Sequence, residues 1–300
     1  MGNSQSDSGH QMLENYQRID CFEDSRFGTI TIAKSMENGQ LVWIKESGLV
    51  LEAKIELEQY MDTIKGDKEY FRIFSTLDFG MINAQSTLGY CAHELWKCTA
   101  ILQYYEKSLE LEIDQRFLLH PKQYFPEDEI WLMFDAIQEM EIHYRSMNRF
   151  HSDLRLGNIF IAEDGSIKFL DVFLINWRLN SFMKHIIDGS KAPLSPEKMA
   201  HIHIDKPNEE WISDDEVWSI GIIMLCMATL KKDSSDFYNW KGYTIIRKAI
   251  DQALDETRLR YSPRLHNLLV RCLSQPEDRL SMGELINMVG SSYSVRGTIN

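Results

Sequence analysis

The chain has 300 residues, a 44% hydrophobic fraction and a formal net charge of −13. That length allows one large domain or two closely packed lobes, and the apolar fraction is ample for a core, so a wholly disordered chain is excluded. The acidic balance argues against nucleic acid as the main partner, because phosphate binding demands a basic surface; it suits simple solubility or a basic protein partner. Cysteines stand at 21, 91, 98, 226 and 272. An odd count without a Cys-x-x-Cys pair fits a reduced, cytoplasmic protein with neither a disulfide framework nor a zinc site.

No apolar run of the secretory kind opens the chain. The start, Met1-Gly2-Asn3-Ser4-Gln5-Ser6, matches the N-myristoylation pattern at Gly2. One myristoyl chain binds membranes only marginally, and no basic cluster or second cysteine stands nearby, so any membrane contact is weak and reversible. Unmodified, residues 1–11 read as a polar, flexible tail. Residues 16–46 are strand-like: Thr29-Ile-Thr-Ile and Leu41-Val-Trp-Ile are β-rich, and Glu37-Asn38-Gly39 turns between them. Residues 50–64 read as a helix, and a further strand pair is expected at 71–74 and 99–102.

Beyond Tyr105 helices dominate. Ile130, Phe134, Ile137, Met140 and Tyr144 recur at helical spacing. Ser213 with Glu216 forms a capping-box pattern ahead of the apolar run 217–230, which is too short to cross a bilayer and reads as a buried helix. Ser262-Pro263 starts another helix, Ser281 with Glu284 caps the last, and the tail 289–300 looks loose.

The most informative stretch is His151-Ser-Asp-Leu-Arg-Leu-Gly-Asn158, which sets Asp153 five residues ahead of Asn158. Two apolar runs follow, separated by Glu163-Asp-Gly-Ser166, a strong hairpin signal. Such a hairpin brings Asp171 back beside Asn158. One site then gathers a base candidate and two oxygen ligands for a hard cation, the set that phosphoryl transfer needs.

This segment resembles the catalytic and metal-binding loops of protein kinases, and four further landmarks follow in family order. Val42-Trp-Ile-Lys45 is similar to the strand carrying the phosphate-binding lysine, and Asp171-Val-Phe173 stands where the family has Asp-Phe-Gly. Gly189 through Ser195-Pro-Glu197 matches the end of the activation segment, with Ser for the usual Ala, and Val217-Trp-Ser-Ile-Gly221 matches the large buried helix. Any one of these is weak; the ordered set is specific. It implies an α+β, bilobal kinase-like domain over residues 12–288, with a β-rich N-lobe over about 12–102 and a helical C-lobe over about 103–288.

The resemblance also implies roles. Asp153 accepts the substrate hydroxyl proton. Arg155 stands where serine/threonine kinases carry a lysine that steadies the γ-phosphate, although Arg for Lys is not neutral. Lys45 pairs the nucleotide phosphates, with Glu56 or Glu58 as its partner. Asn158 and Asp171 hold magnesium. ATP would meet Gly28, Ile30, Trp43, Lys45, Leu102, Gln103, Tyr104 and Phe160. Glu197 and Arg279 form a salt bridge that ties the activation segment down.

Several positions depart from the family. In the phosphate-covering loop, Glu23 and Ser25 replace the first two glycines, leaving Gly28. Lost glycines and added negative charge both weaken phosphate binding. Trp43 replaces the alanine that roofs adenine. Alternation puts it on the face of Lys45, so an indole would occupy adenine volume. Stacking of Trp43 on Phe160 in place of adenine is one expectation; the alternative is that Trp43 swings aside. Val172 and Phe173 replace Phe and Gly, Ser152 replaces the arginine before Asp153, and Pro193 replaces an aromatic.

Three functions compete. The first is a slow, divergent serine/threonine kinase acting on protein hydroxyls. The second is a pseudokinase, a scaffold or allosteric binding module with a filled nucleotide pocket. The third is a small-molecule phosphotransferase of kinase-like fold, disfavoured by the 189–197 segment and Arg279. The expected partner is a protein, as substrate or ligand. The expected location is the cytoplasm, at a membrane if Gly2 is acylated.

Overall fold

The structure is a computed structural model that describes residues 13–24, 28–49, 76–84, 95–146, 154–170, 193–201, 215–231, 233–242 and 244–290. These residues fall into two compact units, the first ending at Tyr104 and the second beginning at Tyr105.

The first unit is a sheet. Strands β1 (Tyr16–Asp24), β2 (Gly28–Ser35), β3 (Leu41–Leu49), β4 (Thr76–Ala84) and β5 (Leu95–Gln103) pair antiparallel in the order β1-β2-β3-β5-β4. The β2–β3 turn closes where Ser35 N–H donates to the Gln40 carbonyl at 2.8 Å and Gln40 N–H donates to the Asn38 side chain at 2.9 Å. Because strand side chains alternate, Val42 and Ile44 lie on one face, where they pack with Ala33 and Ile101 under Leu13 and Tyr16. Trp43 and Lys45 therefore belong to the opposite face. Edge strand β4 had no counterpart in the sequence reading. The helix expected over 50–64 and the strand expected at 71–74 lie outside the described residues.

The second unit is mainly helical. After the short strand β6 (Lys107–Ser108) come α1 (Leu109–Leu118) and α2 (Glu127–Ser146). Ser108 caps α1, its hydroxyl accepting the Leu111 N–H at 3.2 Å. Ile130, Phe134, Ile137, Met140 and Tyr144 of α2 are all buried, each contributing about 1.5–3 kcal/mol by leaving water. Arg116 on α1 reaches Glu129 on α2 at 3.0 Å and lies over the Phe125 ring.

Strands β7 (Ile159–Ile161) and β8 (Ile167–Phe169) form a hairpin, with β6 beside β7. Helix α3 (Pro196–His201) is short, and α4 (Asp215–Thr229) is the most buried element: from Glu216 to Thr229 only Ser219 is partly exposed. Gly221 makes this packing feasible. A Cβ there would stand 2.9 Å from the Cβ of Cys272, so no other residue lets the backbones approach so closely. Leu230 ends α4 with φ of 54°, a conformation that costs a branched residue about 1–2 kcal/mol. Its buried side chain and the Lys231 N–H to Cys226 carbonyl bond, 3.0 Å, offset that cost.

A small hairpin, β9 (Tyr238–Asn239) and β10 (Thr244–Ile245), precedes α5 (Arg247–Arg260), α6 (Pro263–Cys272) and α7 (Met282–Gly290). Ser262 caps α6 and is itself held by Glu127 at the start of α2, with bonds of 2.6 and 2.8 Å. The α7 start is a reciprocal capping box between Ser281 and Glu284. No helix among the described residues is long and apolar enough to cross a membrane.

Candidate active site

On the sheet unit, directly paired residues share a face. One cross-strand row runs Phe22, Ile30, Lys45, Ala100. The next runs Ile32, Trp43, Leu102, Thr76. Lys45 is only 5% exposed, a position a lysine holds when its charge has work to do there. Trp43 is buried too, and its indole meets the edges of Phe22 and Tyr104 with ring centroids 6.3 and 6.2 Å apart. These T-shaped contacts stay within the sheet unit. Leu102, directly opposite Trp43, is fully buried; Gln103 is exposed and Tyr104 half-buried. Phe22 was missed in the sequence, although it directly precedes Glu23. Gly28 opens β2 opposite Asp24. Glu56 and Glu58 lie outside the described residues.

On the helical unit, Leu154 and Arg155 are buried and the chain is extended at Arg155, with φ −151° and ψ 162°. A single 3-10 turn, Leu156–Asn158, follows, closed by the Asn158 N–H donating to the Arg155 carbonyl at 3.0 Å. Asn158 is fully buried. The Glu163–Ser166 turn is made by Gly165 at φ 76° and by Asp164, whose carboxylate accepts the Ser166 N–H at 2.9 Å. These bonds from Ser166 hold the Asp164 carboxyl below the usual range. The hairpin returns the chain so that Leu170 N–H donates to the Asn158 carbonyl at 2.9 Å. Asp153 and Asp171 lie outside the described residues, each one position from a buried leucine, Leu154 and Leu170. Phe160, on β7 opposite Lys168, is buried.

The segment 193–197 is anchored at each residue but Pro196. Ser219 donates to the Pro193 carbonyl at 2.8 Å. Tyr238 donates to the Leu194 carbonyl at 2.9 Å while accepting the Trp218 indole N–H at 3.0 Å. Burial pushes the Tyr238 phenol far up, so it stays a neutral donor. Ser195 accepts the Lys198 N–H at 3.2 Å and so caps α3, which gives the Ser-for-Ala change a local reason. Glu197 and Arg279 meet in a bidentate pair, 2.9 and 3.1 Å, with the guanidinium 5.1 Å from the Trp218 ring centroid and bonded to the Ser274 carbonyl. Burial alone would raise the Glu197 carboxyl, but the hydrogen bonds from Arg279 and Ser195 leave it below its ordinary value.

Glu216 is engaged on a neighbouring helix. Its carboxylate meets Arg145 of α2 at 3.1 Å and stands against the carboxyl of Glu141, while Ser213, its expected capping-box partner, lies outside the described residues. Glu141 occupies the apolar stripe of α2, four residues after Ile137, and that misplaced charge was the signal that could have found it. Tyr238, in a two-residue strand, carried no signal. No group of three or more His, Cys, Asp or Glu gathers for a metal among the described residues. Of the two positions expected to hold magnesium, Asn158 is buried and Asp171 lies outside the described residues.

An Asn-bearing turn whose carbonyl receives the exit of a hairpin, in a unit that also locks a helix start with a Glu–Arg pair, is the arrangement expected of the helical lobe of a protein kinase fold. The protein kinase domain profile matches residues 81–289, more than half of the chain, and the chain belongs to that family. It is 25% identical to serine/threonine-protein kinase 10 of Xenopus tropicalis over 272 residues, covering 88% of this chain and 26% of that protein. It is 22% identical over 307 residues to the probable serine/threonine-protein kinase nek2 of Dictyostelium discoideum, covering 95% of this chain and 64% of that one. A shorter match, 29% over 147 residues, is to serine/threonine-protein kinase pakF of the same organism, covering 48% of this chain and 12% of that one. The chain thus spans less than two-thirds of the length of each of these relatives.

Proposed function

We propose that this chain is a divergent serine/threonine protein kinase domain that transfers the γ-phosphoryl group of ATP to protein hydroxyls, slowly. The observation that carries this reading is the helical half of the site: Arg155 and Asn158 are both buried on one turn, and the hairpin delivers Leu170 to the Asn158 carbonyl. Kinase relatives add support. In this reading Asp153 accepts the hydroxyl proton as the oxygen attacks, and Arg155 steadies the charge on the group in flight. Lys45 binds and orients the nucleotide phosphates. Asn158 and Asp171 would hold magnesium, which when bound neutralises phosphate charge. Slowness follows from Trp43 on the face of Lys45 and from Glu23 in the phosphate-covering loop. The substrate is a protein, and acylation at Gly2, checked by intact mass, would add a weak membrane tether.

Transfer of labelled γ-phosphate to a mixed protein substrate tests the reading. Wild type should incorporate label, and Asp153→Asn should lower the rate by about 10²–10⁴-fold. Equal incorporation by the two proteins contradicts it. A second reading, the pseudokinase, is favoured by one observation: the Trp43 indole is buried against Phe22 and Tyr104 on the face of Lys45. In that case neither protein transfers phosphate, and cellular effects survive Asp153→Asn.

A further inference from the structure

Two carboxyl groups stand against each other inside the helical unit, where α2 packs on α4. Glu141, on α2, is 0% exposed, and Glu216, on α4, is 6% exposed. The charged groups around them come from three helices: Arg145 of α2, Glu141 and Glu216 themselves, and Lys198 of α3. Arg145 is engaged with Glu216. Among the described residues, neither oxygen of Glu141 receives an N–H or a hydroxyl. An ionised Glu141 would be a buried charge without a donor, set against a second ionised carboxylate; such a pair keeps a proton instead. With one proton, Glu141 donates to Glu216, and Glu216 stays ionised against Arg145.

We propose that Glu141 and Glu216 share a single proton, and that its loss loosens the packing of α2 against α4: a pH-sensitive latch built into the helical unit. Burial first, and then repulsion by Glu216, holds the Glu141 carboxyl well above its ordinary value; Arg145 and Lys198 pull less strongly the other way. The sign follows. A carboxyl raised in the folded state binds its proton more tightly there than in the unfolded chain. Its contribution is complete below the ordinary glutamate range and declines as pH rises through the folded value. This is the reverse of the ordinary paired carboxylate, such as Glu197. The latch does not rest on the kinase reading.

The test uses the full chain. Infrared spectra of wild type near neutral pH should keep a protonated-carboxyl band that bleaches on alkalinisation and is missing in Glu141→Gln. The melting temperature of wild type should fall relative to Glu141→Gln as pH rises from the ordinary glutamate range through the raised folded value, because glutamine keeps the donor and cannot ionise. Hydrogen exchange over residues 142–146, corrected for intrinsic rate, should speed by up to about tenfold per pH unit between the ordinary glutamate range and the folded value, and level off above it, in wild type alone. If Glu141→Gln does not fold, the wild-type infrared band decides. A wild type without the band at neutral pH, or identical pH profiles in the two proteins, overturns the latch. Each readout is independent of enzymatic activity, so failure of the kinase reading is separately visible.

Discussion

The sheet unit and the helical unit hold their functional residues by different means. On the sheet, Lys45 and Trp43 are placed by strand register alone, and a change from the family falls on the face they share: an indole packed between Phe22 and Tyr104. In the helical unit, Asn158, Leu170, Leu194 and Glu197 are each pinned by a named hydrogen bond or ion pair. Register tolerates a large side chain, because a strand face can be refilled without moving the backbone. A hydrogen-bonded frame tolerates little, because each lost partner leaves a buried polar group exposed to no water.

That contrast can be broken or sharpened by substitution. The largest effect is expected from Trp43→Ala, which removes a buried indole and should cost about 3–5 kcal/mol in urea unfolding. A loss under about 1 kcal/mol would mean that the indole is not part of the sheet's packing and the contrast fails. Arg279→Ala should cost on the order of 2–3 kcal/mol, less than the ~3–5 of a fully buried pair because Glu197 is a third exposed. It should also change the acid limb. The Glu197 carboxyl is lowered in the folded protein, so its stabilisation is present at neutral pH and lost as pH falls through that lowered value. Arg279→Ala should flatten this limb in a thermal melt followed from neutral to acid pH; an unchanged limb would remove Glu197 from the frame.

Much of this arrangement was legible in the residues themselves. The five-membered apolar stripe of α2 and the Asp164-Gly165 turn are local patterns, and both elements form where those patterns stand. The Glu197–Arg279 pair was reachable only through family resemblance, since 82 residues separate its members. Strand β4 was not legible because Asp78, Gly80 and Asn83 dilute its strand propensity, and it lies at the sheet edge where only β5 pairs with it. Glu141 hid for another reason: counting apolar matches to a helical period ignores the charged residue standing in the same stripe. Alternation assigned the face of Trp43 correctly, but period two says nothing of neighbours along other strands, so Phe22 and Tyr104 as its ring partners came from the structure.

The central claim is that a kinase frame with a refilled sheet face still admits nucleotide. Its most direct test is the melting temperature of the wild-type chain with millimolar ATP, with and without magnesium. A ligand at about 100 times its dissociation constant stabilises the folded state by roughly 2.7 kcal/mol, a shift of several degrees. The account predicts a rise that requires magnesium. No shift at millimolar ATP, with or without the metal, contradicts it and leaves the filled-pocket binding module as the reading.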